Sequence, residues 1–372
     1  MTIDSKLKAV IDCFDFPGHL IECLELKTGH INTTCHLRFR QDDGAVRDYV
    51  LQRINNYVFK KPWEVMENVQ LVTEHIRASM VKQGLDPENR VLRLVPAKGG
   101  DAMVEDGEDG YWRAYDFIRH ATTVDRVENP AQFRQIGAAF GAFQGMLSDF
   151  PIERLHDTIP HFHDTRKRLG DFERSVALDA LGRAAGVPED IAFIRDRGEA
   201  MCRIVDLIAS GDLPLRVTHN DTKINNVMLD IDTGEALCVI DLDTVMPGSA
   251  LYDFSDAIRY GASTAAEDET DLNRVALDMD LFDAFSEGFI ANTAAQLTPT
   301  ELENLPLGAM VMTYENALRF LADYLDGDIY FKIDRPTHNL DRARCQCRLL
   351  SDMESKRDAM DGIVAGLCRR FK

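Results

Sequence analysis

The chain has 372 residues, more than a single hydrophobic core usually organises, so two lobes are expected. A formal net charge of −20 argues against nucleic acid and anionic membranes as partners, because both would repel the protein. The N-terminal residues lack a signal-peptide pattern, and no apolar stretch is long enough to span a bilayer. The sequence therefore predicts a cytoplasmic protein and implies no protein partner.

The first third of the chain is typical of short β-strands. The runs at 20–26, 34–40 and 47–55 are separated by turn sequences, which predicts two β-hairpins. A helix from Pro62 to Met80 and further strands at 90–119 are predicted to follow. These elements predict an N-lobe of residues 1–118, built on an antiparallel sheet with one main helix.

Helical signals dominate after Arg119. Asn129 and Pro130 are a typical helix start, an N-cap followed by proline in the first turn. Gly137, Gly141 and Gly145 lie four residues apart, so another backbone can approach that helix closely. Further helices are predicted at about 187–210, 270–294, 300–326 and 338–370. The expected fold class is α+β, with a mainly helical C-lobe of residues 119–372.

The stretch from Val217 to Asn226 carries the clearest chemical signal. It reads H-x-D-x-x-x-x-N, and Asp241 follows in an apolar, strand-like context. Phosphoryl transfer needs a group that positions the attacking hydroxyl and ligands that hold Mg²⁺ on the phosphates. One carboxylate near the hydroxyl, with an amide oxygen and a second carboxylate on the metal, forms a minimal set for that reaction.

The spacing of these residues predicts that they converge. A turn at 232–235 lies between two apolar runs, which predicts a β-hairpin. Asn226 and Asp241 are equally far from its midpoint, so a regular register makes them cross-strand neighbours about 5 Å apart. That separation allows both to bind one metal ion at about 2.1 Å per bond, with Asp221 in the loop beside them.

The other polar residues of the loop have less certain roles. His219 is expected to brace the loop rather than to act as a base. Asn225 competes with Asn226 for the metal, and the spacing favours Asn226. Lys223 contacts a phosphate or is simply solvated, and Asp243 holds a second metal or organises the loop.

Several long segments, together with the H-x-D-x-x-x-x-N and I-D-x-D motifs, resemble the aminoglycoside phosphotransferase and choline kinase superfamily. Within it, the similarity to the N-acetylhexosamine 1-kinases covers nearly the whole chain. The similar segments are GHINTT (29–34), YVLQRIN (49–55), IPHFHDT (159–165), THNDTKINNVMLD (218–230), VIDLDTVMPGS (239–249), YDFSDAIRYGAST (252–264) and RFLADYLDGDIYF (319–331).

This resemblance implies a two-lobed, protein-kinase-like fold and a kinase that uses ATP and Mg²⁺. The implied reaction phosphorylates the anomeric hydroxyl of N-acetylglucosamine or N-acetylgalactosamine. At the matching motif positions, Asp221 is the implied catalytic base, and Asn226 and Asp241 are the implied magnesium ligands. The implied sugar contacts are His30, Tyr260, Arg319 and Tyr330. The family often has phenylalanine at the position of Tyr260.

The nucleotide half of the site departs from the wider kinase pattern. The third strand has no lysine where a kinase places its phosphate-binding one, and we favour Arg53 as its substitute, with Gln52 in the other register. Thr33, with Asn32 and Thr34, offers donors in place of a glycine-rich loop. By analogy, the backbone at Tyr115, Phe117 and Ile118 meets the adenine edge. Three glutamates are candidate helix partners for Arg53: Glu64, Glu67 and Glu74.

Three alternatives remain open on the sequence. The first keeps the chemistry but changes the acceptor to another sugar, choline, an aminoglycoside or an amino alcohol. The second is a non-catalytic nucleotide-binding regulator, an alternative that stays open because the phosphate-binding lysine is missing. The third is a metal-dependent hydrolase using His161, His163 and Asp164. A P-loop NTPase is excluded, because no GxxxxGK[ST] motif occurs.

Overall fold

The computed structural model describes residues 4–26, 32–107 and 110–372. Eleven strands are described in it: β1 (His19–Leu26), β2 (Thr33–Arg40), β3 (Val46–Ile54), β4 (Leu94–Val95), β5 (Val104–Glu105), β6 (Tyr111–Asp116), β7 (Ala121–Thr122), β8 (Arg216–Thr218), β9 (Val227–Asp230), β10 (Ala236–Val239) and β11 (Met246–Gly248). The α-helices are α1 (Ser5–Ile11), α2 (Pro62–Lys82), α3 (Pro130–Met146), α4 (Thr165–Leu178), α5 (Pro188–Met201), α6 (Arg203–Ser210), α7 (Ala250–Gly261), α8 (Met279–Thr293), α9 (Pro299–Glu303), α10 (Leu305–Asp326), α11 (His338–Ser355) and α12 (Arg357–Phe371).

The N-lobe is an antiparallel sheet with a helix on each face. The strands lie in the order β1-β2-β3-β6-β4, and β5 also pairs with β6. One face packs on α1, with Leu37 and Leu51 fully buried. The other face packs on α2, whose predicted apolar stripe at Val65, Val69 and Val72 is buried. The two predicted hairpins and the α2 helix are therefore confirmed.

The helical lobe is organised around α10, a 22-residue helix that is buried along most of its length. It packs against α4, α7 and α11. Helices α1, α4 and α7 were not predicted, since α1 is short and α4 is polar. The helix predicted at 270–294 begins only at Met279, and the one predicted at 338–370 breaks at Lys356. The predicted α+β class, with a sheet-rich lobe followed by a helical one, is confirmed.

The two lobes share one hydrophobic cluster. Met66 and Tyr115 of the N-lobe pack in the same cluster as Phe143, Leu242 and Val245. Strand β6 ends at Asp116 in the N-lobe sheet, and β7 pairs with β9 in a second sheet, so the predicted boundary at 118/119 lies between these strands. No helix in the described part of the chain is long and apolar enough to cross a bilayer.

Helices α3 and α8 pack backbone to backbone, as the glycine spacing predicted. A Cβ atom on Gly137 would lie 2.3 Å from the Phe285 carbonyl oxygen, and one on Gly141 would lie 2.6 Å from that of Phe289. From the other side, a Cβ on Gly288 would lie 2.1 Å from the Arg134 oxygen. These glycines allow the close approach, which any side chain would block.

Gly137→Ala should therefore destabilise the protein, by about 1–3 kcal/mol, because the added methyl group must push two helix backbones apart. The matched control is Gly170→Ala in α4, where nothing lies within 4 Å of the added atom. That control should be neutral or stabilising by roughly 0.5–1 kcal/mol, since alanine favours helix. Urea unfolding of both variants measures the difference, and equal free energies of unfolding would contradict the packing argument.

Candidate active site

A single buried carboxylate of α7 fixes the backbone of the H-x-D-x-x-x-x-N loop. Asp253 is fully buried and accepts the N–H groups of His219 at 2.9 Å and Asn220 at 2.8 Å. Its backbone oxygen accepts the hydroxyl of Thr222 at 2.7 Å. Burial raises the pKa of Asp253, while His219 and the two N–H donors act against that rise. Asn220, at φ 64°, is thereby held in a left-handed conformation.

His219 braces the loop, as expected. Its ring is fully buried, and Nε2 lies 2.9 Å from the carbonyl oxygen of Ile240. The backbone N–H of Asp221 donates to Nδ1 at 3.3 Å. Because Nδ1 accepts, the ring proton resides on Nε2, and the imidazole connects the loop to the end of β10.

Asp221, Lys223 and Asn226 form one hydrogen-bonded group. The Asn226 Nδ2 atom donates to the backbone oxygen of Asp221 at 2.8 Å and lies 3.5 Å from Oδ2 of the same residue. This leaves the Asn226 Oδ1 atom as the group that can bind a cation. The Lys223 amine lies 2.7 Å from the Asp221 Oδ1 atom. Asn225 instead donates to Asp125 at 3.4 Å, so the structure favours Asn226 over Asn225, as the spacing did.

The predicted hairpin is present, but its register is shifted by one residue. Val239 pairs with Val227, so Ile240, and not Asp241, is opposite Asn226. The backbone N–H of Ile240 donates to the backbone carbonyl oxygen of Asn226 at 2.9 Å. The pairing steps from Ala236 to Cys238 on β10, which makes Leu237 an extra residue in a β-bulge. The predicted direct pairing of Asn226 with Asp241 is therefore wrong.

Asp241 nevertheless faces the same group. It follows Ile240 with φ 60°, a left-handed conformation, and the residue is accessible to solvent. Enclosure by the surrounding protein, then the neighbouring carboxylates of Asp243 and Asp221, raise the pKa of Asp241 to about 6. Three carboxylates and an amide oxygen thus share a small region, where a divalent cation would relieve the repulsion.

This donor set fits magnesium. In the described ranges 4–26, 32–107 and 110–372, no group of three His, Cys, Asp or Glu residues could form a metal cage. Mg²⁺ is usually held by one or two carboxylates together with substrate phosphates, rather than by an all-protein cage. Asp241 and Asn226 match that pattern, since they provide one carboxylate and one amide oxygen.

The cation that lies beside the loop carboxylates belongs to β6 and not to β3. Arg53 is exposed and lies opposite Thr33, also exposed, and Trp112. Gln52 points to the other face of the sheet, where its Oε1 atom accepts Arg113 Nε at 3.1 Å. The structure thus separates Arg53 from the loop carboxylates and places Arg113 beside them, in an ion pair with Asp243.

The candidate glutamate partners of Arg53 bind elsewhere. Glu64 pairs with Lys61 at 2.8 Å, and Glu67 pairs with His156 at 2.8 Å. Glu74 accepts a hydrogen bond from Gln70 at 2.8 Å. Two side chains of α2 reach this region: Asn68 is fully buried and donates to the Val245 carbonyl oxygen, and the Met66 sulfur lies 3.8 Å from the Arg113 guanidinium.

The residues predicted to bind adenine lie in the segment that joins the lobes. Tyr115 and Ile118 are buried, and the ring of Phe117 packs on His36 with centroids 4.6 Å apart. The N–H of Asp116 donates to the Arg93 oxygen, and that of Phe117 to the Asp48 oxygen. In the part of the chain that is described, these bonds leave the Ile118 N–H as the donor for an adenine edge.

The predicted sugar-binding residues lie on the helical side, except His30, which is outside the described residues. Arg319 is half-buried in α10, with its guanidinium 5.2 Å from the ring of Phe331 and 5.8 Å from that of Tyr330. Burial and the like charge of Arg168 lower the pKa of Arg319. Within the described residues, no carboxylate forms an ion pair with this guanidinium. Tyr330 is 72% exposed and Tyr260 39% exposed, so both rings are accessible.

A series of charged side chains connects Arg319 to the catalytic loop. Arg259 influences the pKa of Arg319 and is itself bound to Asp256 at 3.0 Å. Burial lowers the pKa of Lys223, but the carboxylates of Asp221 and Asp256 outweigh it and raise that pKa. Arg319 is therefore linked to Asp221 electrostatically, through Arg259, Asp256 and Lys223.

His161 and His163 do not form the metal site of a hydrolase. His161 is bound to Asp164 at 2.9 Å, whereas His163 is bound to Glu315 at 3.3 Å. The second nitrogen of His163 lies 3.3 Å from the backbone oxygen of Asn220. The pair of histidines is thus divided between different partners, which removes the main support for a hydrolase.

Sequence reasoning assigned no role to Arg113 or Asp253. Both belong to segments whose other residues are mostly apolar, YWRAYDF (111–117) and ALYDFSD (250–256). A charged residue inside an otherwise buried strand or helix needs a buried partner, and that was the available signal. The identity of the partner depends on the fold.

Comparison with known proteins agrees with this geometry. Residues 23–285 match the model of the "Phosphotransferase enzyme family". An aminoglycoside phosphotransferase from Alicyclobacillus acidocaldarius is similar over 98% of this chain and 96% of its own, with a TM-score of 0.62 and 13% identity. An amicoumacin kinase in complex with AMP-PNP and Ca²⁺ covers 95% of this chain and 94% of its own, with a TM-score of 0.58 and 13% identity.

A choline kinase from Cryptosporidium parvum is also similar, over 92% of this chain and 91% of its own, with a TM-score of 0.53 and 12% identity. At such identities the structural likeness establishes the fold, which is the kinase-like one that the sequence predicted. The family match covers more than half of the chain and includes the catalytic loop, Asn226 and Asp241. The chain therefore belongs to the phosphotransferase enzyme family and is a small-molecule kinase.

Proposed function

We propose that this kinase uses ATP and Mg²⁺ to phosphorylate the anomeric hydroxyl of N-acetylglucosamine or N-acetylgalactosamine. The observation that carries the acceptor assignment is Arg319, a half-buried guanidinium without an ion-pair partner among the described residues, in a protein of net charge −20. A neutral sugar with an acetamide oxygen suits such a donor. A cationic acceptor such as choline would be repelled by it.

Asp221 is the proposed base. It takes the proton of the anomeric hydroxyl as the sugar oxygen bonds to the γ-phosphorus and the bond to the β,γ-bridging oxygen breaks, which releases ADP. An anomeric hydroxyl is more acidic than an ordinary alcohol, so a carboxylate suffices. Lys223, 2.7 Å from Asp221, places a cation beside the reacting groups.

Asn226 and Asp241 are the proposed metal ligands. Mg²⁺ held there would neutralise charge on the transferring phosphate. The Ile118 N–H and the side chains of Tyr115 and Phe117 provide the proposed adenine position. Arg53 and Thr33 remain predicted nucleotide contacts, although both side chains are exposed and lie on the other face of the sheet.

On the acceptor side, Tyr260 and Tyr330 offer aromatic faces of the kind that pack on the apolar side of a pyranose. His30 remains a predicted contact. The direct test is ³¹P NMR of the product formed from ATP and N-acetylglucosamine or N-acetylgalactosamine. A phosphate resonance split by the C1 proton is the expected result, and a lack of turnover on both sugars would overturn the assignment.

A cationic acceptor is the second candidate, because a cavity of about 690 Å³ beside Tyr260 is lined by several carboxylates. They are Asp125, Glu128, Glu267, Asp268, Asp278 and Asp280. Coupled ADP detection with choline, an aminoglycoside and both sugars separates the candidates. ADP release with choline or the aminoglycoside, and not with the sugars, would assign this cavity to the acceptor.

Arg319→Ala should raise the sugar KM by about 10- to 100-fold, because a charged hydrogen bond to the acceptor contributes roughly 1.5–3 kcal/mol. The KM for Mg·ATP should change little. Arg342→Ala is the matched control, since its guanidinium also lies over an aromatic ring, that of Phe320, but is bound to the Lys332 oxygen. An unchanged sugar KM in the Arg319 variant would show that the acceptor binds elsewhere.

A further inference from the structure

The most deeply buried ion pair of the nucleotide half joins β6 to the segment after β10. Arg113 is 1% exposed and Asp243 is 3% exposed. We propose that this pair positions the metal ligand Asp241, together with Asn32 and Thr34 at the start of β2, for nucleotide binding, and so replaces the lysine–glutamate pair that the sequence lacks. The inference rests on the metal role proposed for Asp241, but not on the identity of the acceptor.

Arg113 is fixed on the N-lobe side by the sheet itself. Its Nε donates to Gln52 Oε1 at 3.1 Å, and Gln52 Nε2 donates to the hydroxyl of Thr34 at 3.2 Å. Gln52 lies directly across from Arg113 on β3 and from Thr34 on β2. The guanidinium is therefore linked through β3 to the start of β2.

Asp243 continues this series of contacts back to the start of β2. One carboxylate oxygen bonds to Arg113, and the other accepts Asn32 Nδ2 at 2.7 Å. The Asn32 Oδ1 atom accepts the N–H of Asn55 at 3.0 Å, just after β3 ends. Thr34 and Asn32, two residues apart, are thus both connected to the same ion pair.

Asp241 is two residues from Asp243, and its left-handed backbone needs external support. The following segment is held by the N-lobe: Asn68 of α2 donates to the Val245 oxygen at 2.9 Å, and Leu242 packs in the α2 cluster. With Asp243 bound to Arg113, the backbone that follows Asp241 is held at Asp243 and at Val245. The pair therefore acts through Asp241 and the start of β2, and Arg113 is a positioning residue.

Removal of the guanidinium would leave a buried carboxylate without its cation, next to Asp241 and Asp221. Such a charge is strongly unfavourable, so the segment would rearrange or draw in water. Lysine restores the charge but not the planar group that reaches both Gln52 and Asp243, so it is not an equivalent substitute. Both changes should weaken metal–nucleotide binding rather than acceptor binding.

The experiment measures Mn²⁺ binding in the presence of AMP-PNP by electron paramagnetic resonance of free Mn²⁺, without an acceptor. Arg113→Met should raise the dissociation constant at least tenfold, with Arg113→Lys between it and the wild type. Arg40→Met, an exposed arginine at the end of β2, is the control and should bind as the wild type does. Since no sugar is used, the outcome is independent of the proposed acceptor.

The double variant Arg113→Met/Asp243→Leu keeps the test decisive if the single variant does not fold. It removes both charges, and replacing a buried ion pair by apolar residues often leaves the stability of a protein unchanged. The double variant should still bind Mn²⁺·AMP-PNP at least tenfold more weakly than the wild type. Wild-type affinity in a folded single or double variant overturns the proposal, whatever its melting temperature. A tenfold loss in Arg53→Met with none in Arg113→Met would instead identify Arg53 as the phosphate-site cation.

Discussion

Asp221→Asn is expected to abolish phosphate transfer while Mn²⁺·AMP-PNP still binds within about threefold of the wild-type affinity. The amide keeps the shape of the side chain but cannot accept the hydroxyl proton, and loss of a general base typically costs 10²–10⁴-fold in rate. The proposed metal ligands Asn226 and Asp241 are unchanged. Coupled ADP detection with N-acetylglucosamine measures turnover, and electron paramagnetic resonance of free Mn²⁺ measures binding of Mn²⁺·AMP-PNP.

The control for this variant is Asp232→Asn. Asp232 lies in the turn of the same hairpin and its side chain is 74% exposed; in the contacts described, its carboxylate is bound to His120 and its backbone N–H donates to Asp230. Both substitutions remove one negative charge, so a general electrostatic effect would appear in each. Near-normal kcat in the Asp221 variant would show that another group takes the proton.

The catalytic loop was predictable because its parts are close in sequence. Asp221, Asn226 and Asp241 lie within 21 residues, joined by one turn and one hairpin. A spacing argument works at this range, since a hairpin brings the residues at its two ends together whatever the rest of the fold does. The resemblance of long segments then extended the prediction to the fold class.

The exact register was not predictable by counting from the turn. The turn is centred between Asp232 and Thr233, because Asp230 is bonded to Glu235, and not between Thr233 and Gly234 as the symmetrical count assumed. That difference alone would place Val239 opposite Asn226, and the extra residue of the β-bulge at Leu237 moves the position to Ile240. Neither the centre of the turn nor the bulge at an ordinary apolar residue can be read from the spacing. The functional conclusion survives because Asp241, one position later, still lies near Asp221.

The residues that hold the site in place could not be predicted from neighbouring sequence, because they are far from it along the chain. Arg113 and Asp243 are 130 residues apart in sequence, and Asp253 holds a loop 33 residues before it. Only the assembled fold brings such residues together. Arg53 and Gln52 lie on opposite faces of the sheet, because alternate residues of a strand face opposite sides. The sequence shows that alternation but not which face meets the nucleotide.

Asp241→Asn has the second large effect that we expect, a loss of at least about 10³-fold in kcat/KM for Mg·ATP, because a carboxylate ligand is replaced by a neutral amide on the phosphate-bound metal. Ligands that bind only the folded state raise its melting temperature, so Mg·AMP-PNP should stabilise the wild type but not the variant. Without metal, the variant should be at least as stable as the wild type, because the Asp243 and Asp221 carboxylates no longer face a third negative charge. Calorimetry with and without Mg·AMP-PNP measures both effects. A variant that Mg·AMP-PNP stabilises as much as the wild type would remove Asp241 from the metal site, and a less stable metal-free variant would show that its charge has a structural partner instead.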